Sequence, residues 1–371
     1  MHKHARPKQS VSFGGTPSRF FERELAGEDA PTLQTMRVLY DRATRVHMRL
    51  PWNDLLEENL VVFEEPAVKQ QCYCSVMGSL GEMRMIQAYI GPSSYFWFRK
   101  VHEGQPVTMA DFYAYQRSIF VQYIPVREVD GPDRELLQVM RHPLVKGTVA
   151  PVFRAIRPGY YPWFVTENES HILATALQCV LSVCDLMDKD PELDLWDLPD
   201  VYPLVTLGEA DDRVQNYHIG EVDAPRPSLT MPEPLTPDAK RVQAIIDRKL
   251  PSGLPLEVDH FYAPGMIGEK YARKACVRVA LAIEAKSALA LAPEVGSPDE
   301  STGEILQRVI LSAIEASGAI PSKIYVRSRE YKSLLAPLAR PLSFEITVKK
   351  SLPALDFAKN EMETMMDHAD F

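Results

Sequence analysis

CVRVALAIEA at residues 276–285 and ALALAPEV at 288–295 are two apolar runs separated only by Lys286-Ser287, a spacing that predicts a β-hairpin. Neither loop residue is Gly or Asn, although the favoured two-residue turns need positive φ. Past Pro298 and Asp299, STGEILQRVILSAIEASG (301–318) places Ile305, Val309 and Ala313 beside Leu306, Ile310 and Ile314. This i, i+4, i+8 repeat predicts a helix with a wide apolar face, capped by Ser301 or Thr302 and closed by Gly318 with Pro321 beyond it. KIYVR (323–327) is short and β-prone, and SREYKSLLAPLA (328–339) reads as a helix whose last turn is limited by Pro337. FEITVKK (344–350) is the next strand, and a closing helix starts at Pro353 after Ser351 or Leu352.

Strand, helix and strand with connections this short make a right-handed βαβ unit. With LEVDHFY (256–262) as an earlier antiparallel strand, the order becomes three strands, helix, strand, helix, strand, helix. That order resembles the ribonuclease H-like fold of nucleases, integrases and their inactive relatives. The resemblance implies a place for two-metal phosphodiester chemistry, which needs clustered carboxylates holding cations about 3.5–4 Å apart. The residues to test are Asp259 on the first strand, Glu304 on the first helix, and Asp356, Glu361 or Glu363 on the last. Where the fourth strand ends, however, Arg327-Ser328 stands in place of the acid the site wants. A cation there repels divalent metal, so the expectation is a lost site with no catalytic residue, no metal and no cofactor.

A chain of 371 residues exceeds the usual single-core size. The expected division is a flexible basic arm over 1–20, an α+β domain over 21–222, a Pro-rich linker over 223–237 and an α/β domain over 238–371. The first domain is expected to be an antiparallel sheet with helices, the second a mixed sheet in the ribonuclease H-like order. No apolar run approaches the 18–20 residues of a membrane span, and the basic start MHKHARPKQSVSFGG has no apolar core of a secretory signal. The reading is a soluble cytoplasmic protein without a membrane partner. Five cysteines, an odd number without CxxC spacing, predict reduced, buried thiols.

In the first domain a helix is expected over 32–49, and strands over 60–65, 71–78, 83–91 and 117–128, with Gly78 and Gly81 in a hairpin turn. Tyr95, Phe96, Trp97, Phe98, Phe112, Tyr113 and Tyr115 form an aromatic cluster that reads as core rather than a base-stacking platform. HPLVKGTVAPVFRAIRPGYYPWF (142–164) is rich in Pro, Gly, aromatic and basic residues and reads as an ordered loop. In it Lys146, Arg154 and Arg157 are candidate anion contacts, or else arginines stacked on rings to hold the loop. A long apolar helix follows from His171 to Met187, with Glu167 and Glu169 suiting its dipole.

Pro51-Trp52, SVMGSLGE with YIG after it, Gln116, Lys146 and PVFRAIRPGYYPW resemble a bacterial domain of unknown function. LAIEAKSALAL, Pro321-Ser322-Lys323-Ile324 and the LPAL of 352–355 resemble a second domain of unknown function that accompanies it. Neither resemblance carries an activity, a substrate or a catalytic residue to this chain.

Charge is the remaining clue. The net charge of −9 hides a segregation, because residues 185–238 hold 14 acids against Lys189, Arg213 and Arg226. Arg327, Arg329, Lys332, Lys349 and Lys350, with Lys323 and Arg340, crowd residues 321–350. Open α/β sheets bind ligands at the carboxyl edge of their strands, so these cations suit phosphate. Packing against the acidic segment, in this chain or in a partner copy, and plain solvation are the competing readings. Three functions stay open: a non-catalytic binding or interaction protein, a nucleic-acid binder on the basic surface, and a metal-dependent hydrolase or nuclease.

Overall fold

The computed structural model describes residues 17–367 apart from 26, 66–68, 82, 108–111, 113–115, 130, 212–213 and 227–233. Most of the basic arm, Tyr113, Tyr115 and the middle of the Pro-rich segment therefore lie outside the described residues. Where the arm was expected to end, Pro17–Glu24 forms helix α1, whose Phe20 and Phe21 are buried.

The remaining elements of the first half are α2 (Leu33–Arg49), β1 (Val61–Glu65), β2 (Gln70–Met77), β3 (Arg84–Ile90), α3 (Gly91–His102) and β4 (Ser118–Pro125). After them come α4 (Gly131–Val139), β5 (Val149–Ile156), α5 (Glu167–Lys189), β6 (Val201–Asp211) and β7 (Val214–Asp223). The seven strands form one sheet in the order β5-β4-β3-β2-β1-β6-β7. All its neighbours are antiparallel except β1 and β6, which run parallel, so the sheet is mixed rather than antiparallel as expected. The cause is α5, which carries the chain from the β5 edge to the far side of β1.

Period-two alternation puts Cys72, Cys74 and Val76 of β2 on one face, packed with Met36, Leu39 and Ala43 of α2 and Leu173, Leu177 and Val180 of α5. Tyr73 points the other way, to Tyr95 and Phe98 of α3. Burying each large apolar side chain of α5 contributes about 1.5–3 kcal/mol, which fixes that helix under the sheet. By length and composition α5 is apolar enough to cross a membrane, yet 67% of its apolar window is buried inside the protein. All five cysteines are buried and free.

Three expectations are corrected. Residues 149–156 are a strand, not loop: β5 pairs with β4 through Pro151 opposite Tyr123, and an edge strand tolerates a proline. In the later hairpin the turn spans 285–289, with Ala288 at φ 57° supplying the left-handed residue that Lys286-Ser287 lacks. The third concerns Pro337. Helix α8 (Arg329–Leu342) runs past it and through Pro341 because Leu335, Leu338 and Leu342 stay buried along its face, and packing outweighs the lost backbone bonds.

The second half contains α6 (Ala239–Asp247), β8 (Ser252–Gly253), β9 (Leu256–Ile267), β10 (Ala275–Glu284), β11 (Ala290–Gly296) and α7 (Thr302–Ser317). It continues with β12 (Ile320–Pro321), β13 (Lys323–Val326), α8 (Arg329–Leu342), β14 (Glu345–Val348) and α9 (Pro353–Asp367). Five strands form a second sheet, β11-β10-β9-β13-β14, with β10 antiparallel to both its neighbours and β9, β13 and β14 mutually parallel. Ser301 and Glu304 form a reciprocal capping box on α7, and Gly318 at φ 65° closes the helix. One sheet face packs Val258, Ala280 and Ile324 against Ile305, Val309 and Leu335 of α7 and α8. The opposite face packs Phe261, Leu281 and Ile283 against Leu352 and Leu355 of α9.

Candidate functional site

The edge where β13 ends brings together residues from three elements. Residues 257, 259 and 261 of β9 share a face by strand alternation, and that face lies under α9. Glu257, 2% exposed, accepts the backbone N–H of Leu355 at 3.0 Å and so serves one unpaired donor at the start of α9. Two residues on, Asp259 is 7% exposed and receives the Arg327 Nε–H at 2.5 Å and the His260 backbone N–H at 2.9 Å. The Arg327 Nη2 donates to Asp356 of α9. Burial outweighs these contacts at Asp259 and pushes its carboxyl above the usual aspartate range. Burial also works against the Arg327 charge, but the bonds to Asp356 and Asp259 prevail and hold the guanidinium above its usual range.

Of the carboxylates proposed from sequence, Asp259 and Asp356 meet at Arg327, and the others do not join them. Glu304 is occupied by its capping box, where bonds to Ser301 lower its pKa. Glu361 is exposed on α9, and the side chain of Glu363 lies outside the described residues. Among the described residues no group of three His, Cys, Asp or Glu side chains could hold a metal ion.

The candidate anion contacts divide into cations held by acids or rings and exposed ones. Arg154 is held by Asp133, donating Nη1 to Oδ1 at 2.9 Å, and its guanidinium lies 4.5 Å from the centre of the Phe164 ring. Arg157 pairs with Glu28 and with Glu169, each at 2.7 Å. Lys349 sits over the Tyr325 ring, 3.3 Å from its centre. Lys146, Arg329, Lys332 and Lys350 are exposed. The acidic segment finds its partners in the first half: Asp188 pairs with Arg49 at 2.6 Å and Asp200 with Arg99 at 2.6 Å.

His260 faces the α8 side of the sheet, where the Tyr331 hydroxyl hydrogen-bonds its Nδ1 at 2.8 Å. Burial, with the nearby Arg278 charge, pushes its pKa down to about 3. A histidine kept neutral in the fold but basic when unfolded contributes stability that is complete above its unfolded pKa of about 6.5. That stability is lost as pH falls from there toward 3. The expected loss approaches about 1.4 kcal/mol per pH unit. Urea midpoints at pH 7 and pH 5 should therefore separate less in His260→Gln than in the wild type; equal separations would contradict the assignment.

One cluster escaped the sequence reading. Arg273 is buried at 7% exposure and reaches into the first half. There it meets Glu28 at 3.1 Å, Glu169 at 3.5 Å and the carbonyls of Ala155 and Phe164 at 3.2 and 3.3 Å. Burial opposes the Glu169 charge, but the Arg157 bond and the Arg273 charge outweigh it and hold that carboxyl below the usual range. Beside this cluster the PGYYPW stretch docks on β10. The Tyr161 N–H donates to the Lys274 carbonyl at 2.9 Å, and the Cys276 N–H donates to the Gly159 carbonyl at 2.8 Å. Gly159 is needed there, since at φ +80° a Cβ would stand 2.7 Å from Pro298. No spacing rule marks Arg273, because its partners come from 104 or more residues earlier.

Compared with known proteins, residues 37–198 match a Domain of unknown function (DUF7309). Residues 242–363 match a second Domain of unknown function (DUF6930). No curated protein matches the chain. The two matches fall one on each sheet, as in a two-domain protein of unknown function.

Proposed function

We propose that the chain is a non-catalytic binding or interaction protein whose second domain is a degenerate ribonuclease H-like scaffold. The observation that carries this is Arg327 locked between Asp259 and Asp356 at the end of β13. A guanidinium bound to both carboxylates neutralises the charge that a divalent cation would need, and it fills the space between them. The strand order β11-β10-β9-β13-β14, in which β10 alone runs against the other four, supports the scaffold. The same reading sets the domain limits at 21–222 and 238–371, joined by 223–237; its support is that β1 to β7 lie within Val61–Asp223 and β8 to β14 within Ser252–Val348. A bacterial source and a cytoplasmic location belong to the same reading, supported by five free cysteines.

Incubating wild type and Asp259→Asn with single- and double-stranded DNA and RNA, in Mg2+ or Mn2+, tests this directly. The expected result is no cleavage by either protein. Cleavage by the wild type that Asp259→Asn abolishes would establish the metal-dependent nuclease instead.

Nucleic-acid binding is the second reading, favoured by exposed Arg329 and Lys332 in the first turn of α8 and Lys350 in the loop after β14, beyond the ends of the paired strands β13 and β14. Its signature is a steep loss of affinity across a salt series.

A further inference from the structure

Three of the four strands that end the two large sheets are guarded against further pairing. β5 holds Pro151 and already exchanges backbone hydrogen bonds with Trp163 through Ala155. β11 bends at Ala292, φ 43°, beside Pro293, and β14 is four residues long. Prolines, bends and shortness are how folds protect an edge. β7, at the other end of the first sheet, runs for ten residues with no proline, lysine or arginine.

The ladder between β6 and β7 fixes which backbone groups of β7 are left over. Pro203, opposite Glu221, has no N–H to give, and the Ala224 N–H donates to the Asp200 carbonyl at 2.7 Å. Both observations put Pro203 with Glu221, Val205 with Ile219 and Leu207 with Tyr217 among the pairs that exchange no hydrogen bond. Tyr217, Ile219, Glu221 and Asp223 therefore turn their N–H and C=O groups away from β6, and among the described residues no other backbone group meets them. Their side chains share one sheet face by alternation. Tyr217 and Ile219 lie against the core there, while Glu221 and Asp223 are exposed, with no ion pair among the described residues.

Next to Tyr217 the edge opens into a cleft of about 830 Å³, lined by Leu181 and by Met48, which is 76% exposed, with exposed Arg45 beside them. An apolar side chain suits this end and a cation does not, whereas the unpaired acids at the Asp223 end call for a cation. A second copy of β7 would bring two more acids to the same edge of a chain whose net charge is −9, so the occupant is a segment of opposite sign.

We propose that β7 is the docking edge for an extended segment of a partner protein, added antiparallel as an eighth strand, with cations at two alternate positions followed by apolar residues at the next two. Main-chain hydrogen bonds supply the affinity and the alternate side chains the selectivity. This names a partner class for the interaction reading but stands on β7 alone, so its outcome and that of the nuclease assay are independent.

Titration calorimetry of the full chain with the acetylated, amidated peptide KTKTVTV tests the proposal. Saturable binding is expected, with ETETVTV at least about tenfold weaker and the preference reversed in Glu221→Lys with Asp223→Lys. N-methylation of the third and fifth peptide residues, whose N–H groups face β7 in this pairing, should weaken binding by about tenfold or more. Methylation of the second and fourth, whose N–H groups face away, should leave it within about twofold. The peptide comparisons use the wild type alone and hold even if the charge-reversed protein misfolds. No saturable binding of KTKTVTV at millimolar concentration, or equal losses from the two methylation patterns, would overturn the added strand. ETETVTV binding as tightly as KTKTVTV would overturn the basic partner. A dimer of the free protein that KTKTVTV dissociates would assign the edge to a second copy instead.

Discussion

Arg273→Ala is expected to cost about 3–5 kcal/mol, the usual penalty for removing one partner of a buried ion pair. The Arg273 side chain is 4% exposed and that of Glu169 11%, so little solvent is available to take over the exposed charges. Two carbonyls, of Ala155 and Phe164, lose a donor at the same time. The damage should be directional. Arg273 belongs to the second sheet's β9–β10 connection while all these partners belong to the first half, so the link between the halves fails before either core. Tryptophan fluorescence reports the first half alone, since Trp52, Trp97, Trp163 and Trp196 all lie there, so the urea midpoints from fluorescence and from far-UV circular dichroism, coincident in a single transition in the wild type, should separate in the variant. A single, unshifted transition would show that the halves are held by something else.

Arg327→Ala is the second large effect, expected at about 2–3 kcal/mol. It falls below the full buried-pair penalty of ~3–5 kcal/mol because Arg327 is a third exposed and Asp356 reaches solvent. What remains is the cost of Asp259, buried beneath α9 with only the His260 N–H to serve it. Its carboxyl pKa should rise further in the variant, visible by carboxyl NMR titration. Replacing both residues together, Arg327→Met with Asp259→Leu, should recover most of the loss, because a buried pair exchanged for apolar side chains of similar volume is often neutral. A double variant as unstable as Arg327→Ala would mean that the pair does more than satisfy itself.

The order of elements in the second half was legible because its helices carry uninterrupted apolar faces and standard caps. Ile305 to Ile314 repeats without a break, and Ser301, Gly318 and Pro353 stand at the helix ends. Where local chemistry conflicted with packing, the sequence misled. Pro337 reads as a stop, but the buried leucines either side of it decide otherwise. Pro151 and the surrounding rings disguise β5 as loop, since an edge strand loses little by holding a proline.

The candidate site divides in the same way. Arg327 was identifiable at the end of its strand because position along a strand is a local property. That Arg154 and Arg157 are tied to Asp133, Glu28 and Glu169 depends on acids from helices and loops that only folding brings near.

The central claim is that Arg327 has taken the place of a cation between Asp259 and Asp356. Calorimetric titration of Mn2+ and Mg2+ into wild type and Asp259→Asn tests it most directly. The prediction is identical heats for the two proteins, with no saturable event that depends on Asp259. A saturable event in the wild type that disappears in Asp259→Asn would contradict it.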